Sequence, residues 1–478
     1  MPRGRARADD AFTRAYLAGI RDSMTPAPEP AEARVRRAGR VAAPSAAATA
    51  VGTTVALGGQ VITPEGARKG WVSIADGTIS AITSTKPRGA QALATDGVML
   101  PGMLDLHGHP EFNVFAPWEP PQSYVNRYAW RASKPYHDLV RDPQDKLLGQ
   151  LPSGTQLRYA EIRALVGGVT GIQGASLVTQ GTHESMVRNV DGVVFGEHRA
   201  RAMIDLPSSL TSRGGPDLKK ILDGITAGEV DAFYVHLAEG QRDNVRSQEE
   251  FPHLVELGAL TASTVIIHGT AMSRDQLGDA KDAGARLVWS PQSNLRLYDE
   301  TTDVASALDV GLPVALGADW LPSGSMSLLA ELKVAREQLL VQARPLTAEQ
   351  LVTMVTSGAA EVAGLGDELG RLEVGRAADV VVMARQDADA HESVCSSTPA
   401  DVELVMIGGD LLYGRQDWVR TLAADPQDPD LEPVLAWGRP MYLDTSYELH
   451  PSGDPTPRLS SLRRSLTSVY PQVGPIWA

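Results

Sequence analysis

Val98-Met-Leu-Pro-Gly-Met-Leu-Asp-Leu-His-Gly-His-Pro110 is an apolar run that ends in two histidines one residue apart. Residues i and i+2 of a strand point to the same face. His107 and His109 can therefore reach one ion at the strand's end, and imidazole suits zinc, iron, nickel and copper. A pair of surface histidines gives the same pattern, so the other apolar runs decide the reading. Ala232-Phe-Tyr-Val-His-Leu-Ala-Glu239 offers His236 and Glu239. Thr264-Val-Ile-Ile-His-Gly269 offers His268, and Leu312-Pro-Val-Ala-Leu-Gly-Ala-Asp-Trp320 offers Asp319. Each run is short and bounded by turn residues, as buried parallel strands are. Helical stretches at 273–283 and 327–340 lie between or after them. Alternating strand and helix predicts an α/β barrel, whose functional side chains gather at the C-terminal strand ends. All the candidates sit at such ends.

Within the barrel, the first strand ends at His107 and 168–173 forms the second. The third and fourth are drawn from 192–195 and 200–206. The fifth to eighth end near His236, His268, Ser290 and Asp319. Residues 53–57, 61–62, 70–75 and 78–82 read as short strands with turns between them, and 367–415 reads the same way. The expected architecture is a (β/α)8 TIM-type barrel at 101–365, with a small β-sandwich built from both flanks, 51–100 and 366–415. The Pro- and Asp-rich tail, 416–478, holds one strand-like stretch at 433–443 and packs on the barrel or on a partner subunit.

The 478 residues are enough for a barrel of about 250 residues plus a second domain. No run of about 18 apolar residues occurs, so no membrane span is expected. A net charge of −14 argues against nucleic-acid binding. The single cysteine, Cys395, excludes a disulfide framework, disfavours a cysteine-based metal site and reads as structural or incidental. Residues 1–50 are rich in Arg, Ala and Pro, with one helix-like piece at 11–21, and read as a mostly disordered extension or an over-long start. The pair Arg36-Arg37 lacks the apolar core that a twin-arginine export signal needs, so a cytoplasmic protein is expected.

The order His-x-His, His-x-x-Glu, His, Asp resembles the metal-site pattern of the amidohydrolase superfamily. It is most similar to the branch that holds cytosine deaminase, guanine deaminase and the triazine chlorohydrolases. The framing segments agree: 51–102 resembles the usual opening, and Gly370-Arg-Leu-Glu-Val-Gly-Arg-Ala-Ala-Asp-Val-Val-Val382 the usual close. The resemblance covers roughly residues 51–415. It implies His107, His109, His236 and Asp319 as ligands of one divalent metal ion, zinc first, with iron or manganese as alternatives. Such an ion lowers the pKa of a water from about 15.7 towards 7. The resemblance makes Glu239 the proton shuttle and His268 the residue that orients water or substrate, with Asp319 as ligand and base at once. Binuclear members carry a carboxylated lysine at the end of the fourth strand. None of Lys134, Lys146, Lys219 and Lys220 ends an apolar run, which favours one metal.

Residues 111–130 are dense in aromatics and are expected to form a lid whose rings, Trp118 among them, stack on a planar substrate; simple packing is the plainer alternative. Gln173, Asn294, Trp320 and Ser323 are the other substrate-binding candidates, and Ser293 or Asn294 reads alternatively as orienting His268. Arg127 and Arg131 suit a carboxylate but read equally as exposed loop residues. His183 and His198 are weaker site candidates, and His137, His253, His391 and His450 read as surface. The expected activity is hydrolysis of a carbon–nitrogen bond, first the deamination of an aminated heterocycle by metal-activated hydroxide. Ring-opening of a cyclic amide or imide, as in imidazolonepropionase, and hydrolysis of a linear amide are the alternatives. A non-catalytic binding protein is the remote one, because it would be expected to lose its ligands. The expected partner is a small-molecule substrate, with no nucleic acid and no membrane, and the resemblance implies a homo-oligomer.

Overall fold

Eight short parallel strands succeed one another through the middle of the chain, framed by strands from both flanks. The computed structural model describes residues 54–152, 154–174, 185–423, 428, 430–445 and 458–477. The expected extension at 1–50, His183 and His450 lie outside the described residues. The first three barrel strands are β5 (Met103–Asp105), β6 (Val169–Ile172) and β7 (Arg188–Asn189), and they form one parallel sheet, β5-β6-β7. The next five are β8 (Ala200–Met203), β9 (Ala232–Leu237), β10 (Thr264–His268), β11 (Arg286–Trp289) and β12 (Val314–Leu316), parallel throughout. A parallel bridge between Gly108 and Asp319 brings the ends of β5 and β12 together, and the Asp319 N–H donates to the His107 carbonyl at 2.8 Å. The eight strands are thus those of a TIM-type barrel, in chain order. Strands β9 and β10 are buried at every position, as expected of strands covered on both faces.

The third strand is not at 192–195. It is the two-residue β7, after which the chain reverses: Gly192 N–H donates to the Asn189 carbonyl, and Val194 bridges Glu197. The turn residues of Asn189-Val-Asp-Gly192 explain the misplacement, because two residues carry no periodicity to read. The helices at Arg274–Asp282 and Leu328–Val341 start where Ser273 and Ser327 accept a backbone N–H as N-caps.

The flanks supply β1 (Val55–Thr63), β2 (Gly66–Ala75), β3 (Thr78–Thr83) and β4 (Gln91–Pro101) from one side. From the other come β13 (Val380–Met383), β14 (Val402–Ile407), β15 (Asp410–Arg415), β16 (Leu431–Ala436) and β17 (Arg439–Asp444). They join in one nine-stranded sheet, β16-β17-β15-β14-β13-β4-β1-β2-β3, through the antiparallel pair β4–β13. Leu57, Val61, Val72, Met99, Val382 and Leu404 of this sheet pack in a core of their own, separate from the barrel's. Arg188 of β7 ties the sheet to the barrel through two hydrogen bonds to buried Asp379, at 2.7 and 2.8 Å.

The sheet runs past the expected limit at 415, because the hairpin β16–β17 pairs with β15. Further along the tail, the helix Leu459–Val469 buries Leu459, Leu462 and Leu466 and packs against the helix Gly154–Val166 of the barrel. Burying three leucines contributes about 1.5–3 kcal/mol each. Gly474 then donates its N–H to the Val114 carbonyl and accepts from Tyr159 and Arg163, each at 2.8 Å. The tail therefore fastens the segment that comes after the first barrel strand. Cys395 is buried, and burial pushes its thiol up to about 11. His391, read as surface, is 8 % exposed and packs at the start of the helix Ala390–Ser396. Among the described residues no helix is long and apolar enough to cross a membrane.

Asp410 opens β15 at 4 % exposure, and burial, reinforced by Asp444, pushes its carboxyl up from 3.8 to about 7. The folded protein keeps this proton to about pH 7, whereas the unfolded chain releases it near 3.8, so stability falls as pH rises across that window. Asp410→Asn removes that slope: its melting temperature relative to wild type rises from pH 5 to pH 8. A difference that is constant with pH contradicts this account.

Candidate metal centre and active site

The ends of β5, β9, β10 and β12 place four imidazoles and two carboxylates around one volume. Two glycines make the approach possible. A Cβ on Gly317 would meet the His107 Cβ at 2.4 Å, and Gly174, at φ +103°, would place one 1.7 Å from the Gly108 carbonyl oxygen. Three residues at strand ends, Ala238 (φ 51°), His268 (φ 69°) and Asp319 (φ 59°), adopt left-handed backbone. This conformation costs roughly 1–2 kcal/mol per non-glycine residue and turns each chain sharply as it leaves its strand.

His107 and His236 face each other with their Nε2 atoms 3.1 Å apart. Asp319 Oδ1 lies 3.4 Å from His107 Nε2 and 3.7 Å from His109 Nε2. Ligand atoms bound roughly 2.0–2.1 Å from one ion at near-tetrahedral angles lie about 3.3 Å apart. Two overlapping triads of metal-type donors result: His107, His236 and His268 bring ring nitrogens within 4.8 Å of one another, and His107, His109 and Asp319 bring two ring nitrogens and a carboxylate oxygen equally close. His107 Nδ1 meets Ser290 Oγ at 2.8 Å; in the tautomer that donates from Nδ1 to this oxygen, Nε2 carries the lone pair a metal would take. Burial is the first cause that holds His107 and His236 well below the usual histidine range, and the neighbouring imidazoles add to it. Burial, then His268, lowers His109 to about 4. All three rings are therefore neutral at pH 7, as metal ligation requires. Burial also raises the Asp319 carboxyl well above its ordinary value, with Ser293 and the Trp320 N–H opposing that shift.

Glu239 and His268 face the same volume, with His268 Nε2 3.7 Å from Glu239 Oε2. Burial lowers His268 to about 3 and raises Glu239, against which Arg127 and a bond from Tyr298 act. The tautomer of His268 is set by its neighbours. Trp289 Nε1–H, which only donates, bonds Thr301 Oγ1 at 2.7 Å, and the Thr301 hydroxyl donates to Asn294 Oδ1 at 3.4 Å. The Asn294 amide nitrogen then donates to His268 Nδ1 at 2.9 Å, so the ring proton sits on Nε2 and points at the cleft.

The cleft over these groups is lined by Phe112, Trp130, Tyr136 and Trp320, with Ile204, Arg127 and Arg131. Of the substrate-binding candidates only Trp320 lines it. Trp118 is buried behind the wall, near Tyr124, with its backbone N–H on Pro322. Gln173 spends its amide on Asp191, at 3.2 Å to both oxygens. Ser323 bonds Ser293 at 2.8 Å, and Asn294 holds His268. His198 is part-buried and lies away from the lining. Lys134 and Lys219 are exposed and paired with Asp138 and Asp223.

Sequence reasoning missed Tyr136, Ile204 and Tyr298 and undervalued the two arginines. Arg127 is 2 % exposed and bonds Asp205 at 3.2 Å and Glu250 at 2.9 Å. Glu250 in turn accepts the Ala238 N–H at 2.7 Å, beside the turn that carries Glu239. Arg131 bonds both Asp205 oxygens, at 3.1 and 3.2 Å. The available signal was Asn126, which N-caps the helix Arg127–Arg131 and so marks this part of the lid as ordered.

An amidohydrolase family model matches residues 224–412. A 5-methylthioadenosine/S-adenosylhomocysteine deaminase of Teredinibacter turnerae is 26 % identical over 326 residues, covering 61 % of this chain and 73 % of its own. Two solved structures share the fold. An adenosine deaminase from Xanthomonas campestris with bound zinc has a TM-score of 0.57 at 16 % identity, over 75 % of this chain and 92 % of that one. A guanine deaminase from Bradyrhizobium japonicum has a TM-score of 0.58 at 16 % identity, over 76 % of this chain and 100 % of that one. Residues 224–412 are thus similar to the amidohydrolase family, and the barrel that carries the histidines, Glu239 and Asp319 at its strand ends has the fold of these solved structures.

Proposed function

We propose that this protein is a hydrolytic deaminase of an aminated heterocycle that works with one divalent metal ion, zinc first. The observation that carries the reading is the clustering of donors around His107, with His236 on one side and with His109 and Asp319 on the other, beside Glu239 and His268. When bound, the ion supplies an acidified water at neutral pH.

The protein's own groups do the rest. Glu239, as a carboxylate, would accept a proton from the attacking water and pass it to the departing nitrogen, so that the amine leaves as ammonia and the water oxygen replaces it. Burial raises the Glu239 carboxyl, which makes it a stronger proton acceptor in the first half of this transfer. His268 donates from Nε2 to a water or substrate oxygen and stays neutral, because burial lowers it to about 3. The aromatic lining suits a planar ring, and Trp130 and Trp320 lie 5.3 Å apart at 35°. Adenine-type nucleosides are the first class to test, by likeness to the relatives, with other aminated purines and triazines next.

Metal-loaded protein is expected to release ammonia from at least one aminated heterocycle in a panel. Product formation without ammonia would move the reaction to ring or linear amide hydrolysis. Glu239→Gln is expected to lower kcat by at least about 10³-fold, within the 10²–10⁴ range of general acid–base catalysis, with its metal content unchanged. Activity surviving this change would remove Glu239 from the proton transfer. His107→Ala is expected to lose the metal, as read by elemental analysis, and a full complement would overturn its assignment as a ligand.

A further inference from the structure

We propose that Tyr298 is a positioning residue which, backed by Trp130, clamps one oxygen of Glu239 and leaves Oε2 as the single atom that exchanges protons over the cleft. The proposal rests on the reading of Glu239 as the proton carrier.

Tyr298 closes the helix Pro291–Tyr298 that comes after β11, and no part of it is exposed. Its hydroxyl has two neighbours with opposite demands. Trp130 Nε1–H can only donate, and it meets the Tyr298 oxygen at 2.9 Å. The hydroxyl proton is thereby left for Glu239 Oε1, at 2.5 Å. Oε1 is occupied, and Oε2 faces His268 Nε2 at 3.7 Å. A phenylalanine would fill the same volume, so packing alone does not require the hydroxyl.

The clamp also joins the lid to the strand end. Trp130 belongs to the short helix Arg127–Arg131 and lines the cleft, whereas Glu239 lies just beyond β9. The lid helix is fixed independently by Arg127 and Arg131 on Asp205 and by Arg127 on Glu250. The titratable and charged groups around Glu239 are Arg127 and Arg131, which favour its charge, Asp205, Glu250 and Asp319, which disfavour it, His268 at 3.7 Å, and Tyr298, which hydrogen-bonds it. Tyr298 is the one among them whose bond selects an individual oxygen. A planar substrate resting on Trp130 therefore meets a wall whose seating also fixes the proton carrier.

Tyr298→Phe keeps the ring and removes the hydroxyl. Infrared titration of the Glu239 carboxyl, identified as the band lost in Glu239→Gln, reads the clamp without a substrate. A hydrogen bond to the charged form favours that form, so the midpoint in Tyr298→Phe is expected to rise by about one pH unit. Trp130→Phe is expected to shift it less, in the same direction. On a heterocycle that wild type deaminates, kcat in Tyr298→Phe is expected to fall about 10–100-fold, with KM within about threefold and the metal content unchanged. An unchanged midpoint overturns the proposal, as does a loss expressed in KM alone. If wild type releases no ammonia from any heterocycle, the deaminase reading fails, and the infrared midpoint alone decides the clamp.

Discussion

The structure depends on crowding imidazoles and a carboxylate around His107 at the ends of parallel strands, where most of them are buried. None of these groups gains from that placement alone. Burial strips the histidines of protons and drives the Asp319 carboxyl up. Left-handed backbone at His268 and Asp319 adds strain. A divalent cation reverses these costs together, because it favours neutral imidazole and ionised carboxylate in the same volume. The barrel meets the geometric demand by setting β5 and β12 side by side, with Gly317 where a side chain would strike His107.

Around this centre, hydrogen-bond chains settle the state of each acting group. Trp289, Thr301 and Asn294 fix the proton of His268. Ser290 holds His107. Trp130 and Tyr298 engage Glu239, and Arg127 with Glu250 braces the turn beside it. Most of these partners belong to the lid or to the segment just after β11. The metal-type residues come from the strands themselves, and their orientation comes from the elements laid over them. The C-terminal tail enters the same scheme by binding Val114 through Gly474.

The barrel and the clustering of its histidines and Asp319 were legible because each of these residues ends an apolar run that reads as a buried strand. His107, His109, His236, His268 and Asp319 all stand at such ends, and chain order alone aligned them. Features that depend on contacts between distant segments did not show. The two-residue β7 has too little pattern to be read, and the hairpin β16–β17 finds its sheet only through pairing with β15. Trp118 and Trp130 lie in one aromatic stretch, yet the helix Arg127–Arg131 sends only Trp130 to the cleft. Gln173 sits where a strand end meets the site, and Asp191 claims it. Tyr298 lies far from every motif in sequence, and only the fold places its hydroxyl on Glu239.

The central claim is that the four donors form one mononuclear centre. Anomalous diffraction from crystals of the metal-loaded protein, recorded on either side of the zinc absorption edge, tests it most directly. The account predicts one ion per chain, held by His107, His109, His236 and Asp319, with Glu239 and His268 outside its ligand set. Two ions, or a single ion held by Glu239 in place of Asp319, would contradict it.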